Sequence, residues 1–194
     1  MSNLIIIGAS GHGRVIADIA RLYGYEEICF LDDNTEITSL GNYEVIGTTA
    51  DIENVDGDFF VGIGDPKVRK NMMEKLEQNE KSIPILVHPS AVIGEDVTIE
   101  KGTVVMAGAV INPGTSIGQG VIINTSSSVD HDCKITDGIS LTQSHYIEKL
   151  ITKILSQIKQ IPLKREEFKN LKKVVMIALA YTKTLQETKF QEKN

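Results

Sequence analysis

A six-residue repeat in the middle of the chain most constrains what this protein can fold into. Every sixth residue from position 87 to position 135 is aliphatic. Four residues after each of these stands a small or β-branched residue. This period fits neither a helix of 3.6 residues per turn nor an alternating strand. It predicts a parallel β-helix in which three hexads close a triangular coil. The stacked core positions are Val87, Ile93, Ile99, Val105, Ile111, Ile117, Ile123, Val129 and Ile135.

The alternative for this region is a sandwich of short strands, but sandwich strands do not keep a fixed six-residue spacing. The low aromatic content of 5% also favours the β-helix, because its narrow interior accommodates isoleucine and valine better than rings.

Composition and charge limit the function classes that need to be considered. The chain is 41% hydrophobic and 24% charged, with a net charge of -6, which gives no basis for nucleic-acid binding. The apolar run Leu4–Ile7 ends at once in glycine and is too short for a signal peptide or a membrane span. Cys29 and Cys133 lie far apart and suggest no disulfide framework. We therefore expect a cytoplasmic protein that does not associate with membranes.

The first 84 residues alternate between strand and helix patterns, which predicts a Rossmann-like α/β domain with a parallel sheet. Ligands of open parallel sheets bind beyond the carboxyl ends of the strands, so the chemistry of this domain is expected there. Strands are predicted at Leu4–Ile7, Glu27–Leu31 and Tyr43–Ile46, and a further strand that runs into a turn at Asp58–Asp65. Helices are predicted at Arg14–Tyr23 and Pro66–Asn79, and Ile83–Val87 leads into the repeat.

Glycines and aspartates follow the predicted strands of this domain. The segment Gly8-Ala9-Ser10-Gly11-His12-Gly13 frees backbone N–H groups at a helix start, where a phosphate can bind. Asp32 and Asp33 are placed to accept hydrogen bonds from a ribose or a base, and Gly64 lets a ligand approach the third main strand. The spacing is not the full dinucleotide-binding fingerprint, so a tight turn without a ligand, with His12 merely packed beside it, is the alternative.

A histidine flanked by carboxylates stands in the last well-formed part of the repeat, Val129-Asp130-His131-Asp132-Cys133. Because Val129 points into the core, His131 should project from a corner of the β-helix. A neighbouring carboxylate orients the ring and raises its basicity, which suits a general base. An exposed corner histidine without a catalytic role is the alternative. No second histidine or cysteine pair has metal-ligand spacing, so no metal site is expected.

Together these motifs resemble the sugar O/N-acetyltransferase family, which includes UDP-4-amino-sugar N-acetyltransferases of bacillosamine-type pathways and sialic acid O-acetyltransferases. Two further stretches match the family, Gly62-Ile63-Gly64-Asp65 and Asn124-Thr125-Ser126-Ser127, and the resemblance covers residues 4–135 in order. It implies that the N-terminal domain, residues 1–84, holds a UDP-sugar. It also implies that a left-handed β-helix over residues 85–140 binds the cosubstrate acetyl-CoA between the subunits of a homotrimer.

The resemblance also assigns roles to individual residues. His131 matches the family's general base, and Asp132 matches the acidic neighbour that raises its basicity. The implied reaction is direct attack, in which His131 takes a proton from the sugar amine or hydroxyl as that group attacks the thioester of acetyl-CoA. The sugar-nucleotide contacts of the family match Ser10, Gly11, His12, Asp32, Asp33 and Gly64.

The family pattern stops near residue 140. No glycine follows Gly138, and apolar residues then recur at helical spacing, which predicts a helical tail over residues 141–194 that is atypical for the family. Ser140 stands where the family places a second histidine that contacts acetyl-CoA. Either a helical pair replaces the upper coils, or the tail is translated out of frame. The joint change in charge, glycine content and periodicity favours the second explanation.

These observations leave several functions open. The leading hypothesis is an acetyl-CoA-dependent acetyltransferase acting on a nucleotide-linked amino sugar, impaired if the upper coils are lost. The alternatives are O-acetylation of sialic acid, a catalytically inactive sugar-nucleotide-binding module, and a β-helix that serves only for oligomerisation.

Overall fold

A mixed sheet and a three-faced β-helix follow one another in residues 3–141, the part of the chain that the computed structural model describes. The first part contains strands β1 to β5 and two helices, with a short 3-10 helix at Thr49–Asn54 before β5. The strands are β1 (Leu4–Ile7), β2 (Ile28–Leu31), β3 (Ser39–Leu40), β4 (Tyr43–Gly47) and β5 (Asp58–Val61), and the helices are α1 (Gly11–Tyr23) and α2 (Pro66–Gln78).

Strand β1 lies inside the sheet, between β2 and β5, in the strand order β3-β4-β2-β1-β5. It pairs in parallel with β2 on one side and with β5 on the other, and all four of its aliphatic side chains are buried. Alternate residues point to opposite faces, so Leu4 and Ile6 pack with α1, whereas Ile5 and Ile7 pack with the α2 residue Leu76. A continuous aliphatic strand is therefore what this position in the sheet requires.

Local sequence explains where the two helices begin and end. The Ser10 hydroxyl accepts a hydrogen bond from the Gly13 amide at the start of α1, and Gly24, in the left-handed conformation, ends this helix. Asp65 caps α2 by accepting hydrogen bonds from two amides of the first turn, each 2.9 Å long, and Pro66 occupies the first helical position.

The second part is a parallel β-helix built from two-residue strands, each of which ends on a core position of the repeat. Face A consists of β6, β9, β12 and β15, face B of β7, β10 and β13, and face C of β8, β11 and β14. Every pairing within a face is parallel and keeps the hexad register, so the prediction of a left-handed β-helix is confirmed. In chain order the strands are Leu86–Val87, Val92–Ile93, Thr98–Ile99, Val104–Val105, Val110–Ile111, Ser116–Ile117, Ile122–Ile123, Ser128–Val129, Lys134–Ile135 and Ser140–Leu141.

From Asp96 to Gly138, every sixth residue has a positive φ, so each corner after the first contains one such residue at the same place in its hexad. This left-handed conformation favours glycine, because a side chain there crowds the backbone. Most of these positions are indeed glycine, but Asp96, Ser126 and Asp132 adopt the same conformation, with φ of 54° to 55°. The glycines are Gly102, Gly108, Gly114, Gly120 and Gly138.

The α/β part packs on face A of the β-helix. The outward side chains of Leu86, Val104 and Ile122 are buried in one cluster with Ile16 and Ile19 of α1. Helix α2 packs against corner CA, which comprises residues 100–103, 118–121 and 136–139. Corner BC, comprising residues 94–97, 112–115 and 130–133, is the corner that does not border face A.

The structure confirms the predicted fold class and adds elements that the sequence did not indicate. Strand β3 and the 3-10 helix were not predicted. The β-helix reaches Leu141. The predicted helical tail lies outside the described residues. Within residues 3–141 no helix has the length and apolar character needed to cross a membrane.

Candidate active site

The most reactive arrangement in the described residues lies at corner BC, where His131 contacts the carboxylate of Asp132. The Nδ1 atom of His131 lies 2.7 Å from Oδ2 of Asp132, and both side chains are 78% exposed. When Nδ1 donates its hydrogen to this carboxylate, Nε2 keeps a free lone pair that faces solvent. The pair therefore has the orientation required of a general base and its orienting acid.

The coil beneath holds the backbone on both sides of His131. The buried hydroxyl of Thr115 donates to the carbonyl of Asp130 at 2.9 Å and accepts from the amide of Cys133 at 3.3 Å. The amide of Asp132 donates to the carbonyl of Pro113 at 3.0 Å. The histidine is thus exposed, but the peptide that carries it is fixed.

Nearby carboxylates tune the proton affinity of His131. Its hydrogen bond to Asp132 raises the pKa of the imidazole above the ordinary value, and the charge of Asp132 and, to a smaller extent, that of Asp130 act in the same direction. Desolvation opposes this shift, by more than the charge of Asp130 adds to it but by less than Asp132 does. The ring is therefore a stronger base than a free imidazole.

The predicted phosphate loop lies on the other side of the molecule, at the carboxyl end of β1. Gly8 has a φ of 105°, and a Cβ on Gly13 would overlap the carbonyl oxygen of Gly8. A Cβ on Gly62 would come within 2.9 Å of the Cα of Gly13. Gly8, Gly13 and Gly62 are thus needed so that the loop, α1 and the end of β5 can approach one another closely, as well as for any ligand contact.

Both aspartates after β2 are already hydrogen-bonded within the fold. Asp32 accepts from the amide of Ala9 at 2.7 Å and from the amide of Asn34 at 2.8 Å. Asp33 accepts from the amide and the hydroxyl of Thr49, at 2.9 and 3.1 Å. Asp32 therefore fixes the glycine loop, and Asp33 holds the start of the 3-10 helix. Each carboxylate oxygen still has acceptor capacity for a ligand.

Among the described residues, His12 has a buried side-chain nitrogen that is left unsatisfied. Its Nε2 is buried and has no hydrogen-bond partner among the described residues. Burial lowers the pKa of this imidazole, and the charge of Arg69 lowers it further. The neutral form of the ring is thus favoured, and its buried Nε2 is left without a hydrogen-bond partner among the described residues.

Arg69 is a buried residue of this region that sequence reasoning missed. Only 1% of it is exposed, and its guanidinium donates five hydrogen bonds to four carbonyl oxygens and one hydroxyl within the described residues. Two of the bonds end on Ile63 and Gly64 after β5, and the others end on Gly120, Gly138 and Ser140 of the β-helix.

A signal for Arg69 was present in the sequence. It lies at helical spacing from Met73 and Leu76, the other two buried residues of α2, so its position on the apolar face was visible. Burial lowers the pKa of Arg69, and the charge of Asp65 opposes this effect.

The structure brings Ser10, Gly11, His12, Asp32 and Gly64 to one edge of the sheet, with Asp33 at its outer end. It does not bring His131 to them. The α/β part covers face A and corner CA, whereas His131 and Asp132 project from corner BC. Within the described residues, the side-chain contact of His131 is with Asp132 and not with the loop.

A cavity of about 370 Å³ lies between α2 and corner CA, and Arg69, which donates to the carbonyl of Gly64, is part of its lining. Its wall combines Lys67, Lys70, Glu74, Gln119 and Asp137 with apolar Met73. In residues 3–141 no group of three histidines, cysteines or acidic residues is placed to hold a metal ion.

Comparisons with known families divide the chain as the fold does. Residues 3–76 match the family described as the PglD N-terminal domain. Residues 90–125 match the bacterial transferase hexapeptide family of six repeats.

Individual proteins resemble both parts together. The UDP-N-acetylbacillosamine N-acetyltransferase of Bacillus subtilis is 32% identical, over 55% of this chain and 52% of its own length. The chain therefore spans about half of that relative.

Two solved structures share more of the fold. The acetyltransferase domain of PglB from Neisseria gonorrhoeae, in complex with acetyl coenzyme A, is 38% identical, with a TM-score of 0.69 over 72% of this chain and 69% of that one. PerB from Caulobacter crescentus, in complex with CoA and GDP-perosamine, is 30% identical, with a TM-score of 0.69 over 74% of this chain and 70% of that one.

Proposed function

We propose, from the premise that this chain belongs to the sugar acetyltransferases with hexapeptide repeats, that it transfers the acetyl group of acetyl-CoA to the amine of a nucleotide-linked amino sugar. The observation that carries the proposal is the His131–Asp132 pair, with its 2.7 Å contact and exposed Nε2. A base of raised pKa on the surface of a hexapeptide-repeat protein is suited to deprotonating an incoming amine.

The chemistry at His131 is a single acyl transfer. Nε2 takes a proton from the sugar amine as its nitrogen attacks the thioester carbonyl. A carbon–nitrogen bond forms, the carbon–sulfur bond breaks, and the proton passes from the imidazolium to the departing thiolate. Asp132 stabilises the imidazolium while it carries this proton.

The loop of the α/β part is proposed to hold the nucleotide sugar. The N-terminal end of α1 offers amides to a diphosphate, and His12 offers its unsatisfied Nε2. The relative from Bacillus subtilis is named for a UDP-linked sugar, and PerB was solved with a GDP-linked sugar. The first assay should therefore include sugars linked to either nucleotide. N-acetylation is preferred to O-acetylation of sialic acid, because the Bacillus subtilis relative is named an N-acetyltransferase.

The separation of His131 from the loop supports a homotrimer in which neighbouring chains complete each site. Closed rings of identical chains bring different surface patches together at every interface. This assembly would bring the corner BC of one chain to the nucleotide loop of the next. Acetyl-CoA is formed inside cells, so its proposed use as the cosubstrate supports a cytoplasmic location.

The first test is turnover of the His131→Ala variant. We expect the transfer rate to fall by about 10²- to 10⁴-fold, the range for loss of a general base, with unchanged affinity for the nucleotide sugar by calorimetry. Retained turnover would refute the assigned base.

Calorimetry on the unmodified chain separates the enzyme from its rivals. Binding of acetyl-CoA and of a nucleotide sugar supports the enzyme. Binding of the nucleotide sugar alone supports an inactive binding module, a reading favoured by Ser140, which replaces the family's second histidine and whose hydroxyl accepts from Arg69 at 3.2 Å. Binding of neither leaves an oligomerisation element.

A mixing experiment tests the shared site. His131→Ala and His12→Ala chains are each inactive by this proposal, but each carries the half that the other lacks. Dissociating and reassembling them at equal ratio should restore about a quarter of the wild-type activity. Each site lies between two neighbouring chains, and about one site in four then combines a chain with an intact loop and a neighbour with an intact His131. No restoration in reassembled mixed trimers would show that the site lies within one chain.

A further inference from the structure

Asp132 is held in a backbone conformation that the β-helix elsewhere gives mainly to glycine. Its φ is 54°, and its amide is fixed on the carbonyl of Pro113 in the coil beneath. The carboxylate must therefore reach His131 by the rotation of its own side chain, because the backbone has little freedom to adjust. The residue beneath this carboxylate in the adjacent coil therefore limits the positions that the carboxylate can adopt.

Gly114 occupies the same corner position one coil below Asp132, and the carboxylate lies over it. A Cβ added to Gly114 would come within 2.5 Å of Oδ1 of Asp132, but would be 3.5 Å from its Cγ and 3.8 Å from its Cα. The conflict is thus with one carboxylate oxygen and not with the backbone. The other oxygen, Oδ2, is the one that contacts Nδ1 of His131.

We propose that Gly114 is a positioning residue for the His131–Asp132 pair, because its missing side chain leaves the slot in which the Asp132 carboxylate lies. The catalytic meaning of this inference rests on the proposed function. A methyl group at position 114 turns the carboxylate about its Cα–Cβ bond and breaks the 2.7 Å contact with Nδ1, while the coil stays folded.

The other corners provide an internal comparison. A Cβ on Gly108 would meet the Ser126 hydroxyl at 3.3 Å, a much milder contact. A Cβ on Gly120 would meet nothing closer than a carbon of Met73 at 3.8 Å. Since Gly120 has a φ of 60°, close to the 72° of Gly114, the two glycines share the backbone requirement but not the neighbouring carboxylate.

The test is a titration of the His131 imidazole by nuclear magnetic resonance, with the signal assigned through the His131→Ala variant. In the wild-type chain the pKa should lie above that of a free imidazole. Gly114→Ala should lower it to the value of Asp132→Asn, whereas the matched control Gly120→Ala should leave it unchanged. Thermal unfolding of the two alanine variants should show a similar loss of stability.

If Gly114→Ala leaves the pKa of His131 at its wild-type value, the positioning role of Gly114 is overturned. An equal lowering of that pKa in Gly120→Ala would overturn it as well. The titration needs no substrate, so its result stands whether or not the chain transfers acetyl groups. If it does, kcat/KM of Gly114→Ala should fall by about 10- to 100-fold, as expected for a displaced catalytic group, and its pH profile should shift to lower pH. Failure of turnover in the wild-type chain would count against the proposed function alone.

Discussion

At the scale of single residues, two histidines, His131 and His12, lie in opposite environments. His131 is exposed and its pKa is raised by the adjacent Asp132. His12 is largely buried and its pKa is lowered, mainly by desolvation. One ring is thus suited to taking up a proton, and the other to meeting a ligand as a neutral group. The same residue type suits both proposed roles because burial lowers the pKa of one imidazole and a neighbouring carboxylate raises that of the other.

The pH dependence of turnover follows from the direction of the His131 shift. Only the neutral ring accepts a proton, so kcat/KM should rise with pH, with a midpoint above about 6.5, the ordinary value for histidine. Asp132→Asn removes the charge that stabilises the imidazolium, and the midpoint should move to lower pH. A profile measured for both proteins checks this, and an identical midpoint would contradict the role of Asp132.

At the scale of elements, the hexads determined what could be predicted. The inward side chains of the middle coils, such as Val105, Ile111 and Ile117, are buried, so their residue type is set by burial. The strands of faces A, B and C fall where the repeat places them. Strand β3 has two residues, and the 3-10 helix carries only Ile52 as a buried residue. Segments with so little apolar periodicity give no signal from which to predict them.

Buried threonines hold successive coils together, and they offer a matched pair for mutation. The Thr115 hydroxyl donates to Asp130 and accepts from Cys133, next to His131. The Thr103 hydroxyl makes the same two contacts at corner CA, with Gly118 and Val121.

Valine at either threonine position should reduce the free energy of unfolding by about 1–3 kcal/mol, because a buried amide and a buried carbonyl lose their partner. Denaturant unfolding measures this loss. Only Thr115→Val should also lower turnover, because only Thr115 fixes the peptide that carries His131. Equal activity in the two variants would show that this support is dispensable.

At the scale of the whole described unit, Arg69 joins the two parts of the fold. It links the loop after β5 to corner CA and to face A through contacts that span 51 to 71 residues of sequence. No local pattern indicates such partners, which explains why the sequence predicted the motifs near Gly64 but not the residue that anchors them. For the same reason it did not reveal that His131 and the loop lie on different sides.

Replacing Arg69 by lysine should destabilise the fold strongly. Lysine keeps the charge, but its three donors radiate from one point and do not reach carbonyls on both sides of the interface. Loss of these buried bonds should lower the free energy of unfolding by about 3–5 kcal/mol, measured by denaturant titration. Lys70→Ala is the control, because the neighbouring Lys70 side chain is 71% exposed and its ion pair with Glu74 is weak. Similar losses in both variants would contradict the joining role.

The stacked corners also limit how a gene for this fold can change in length. Partners in adjacent coils are 18 residues apart, as Val92 and Val110 are. An insertion of six residues before His131 would carry it to the next corner, towards the α/β part, and an insertion of any length that is not a multiple of six would break the register. Only whole coils can be gained or lost with the histidine kept at its own corner. In evolution this protein should therefore lengthen and shorten between residues 87 and 131 by duplication or deletion of complete turns.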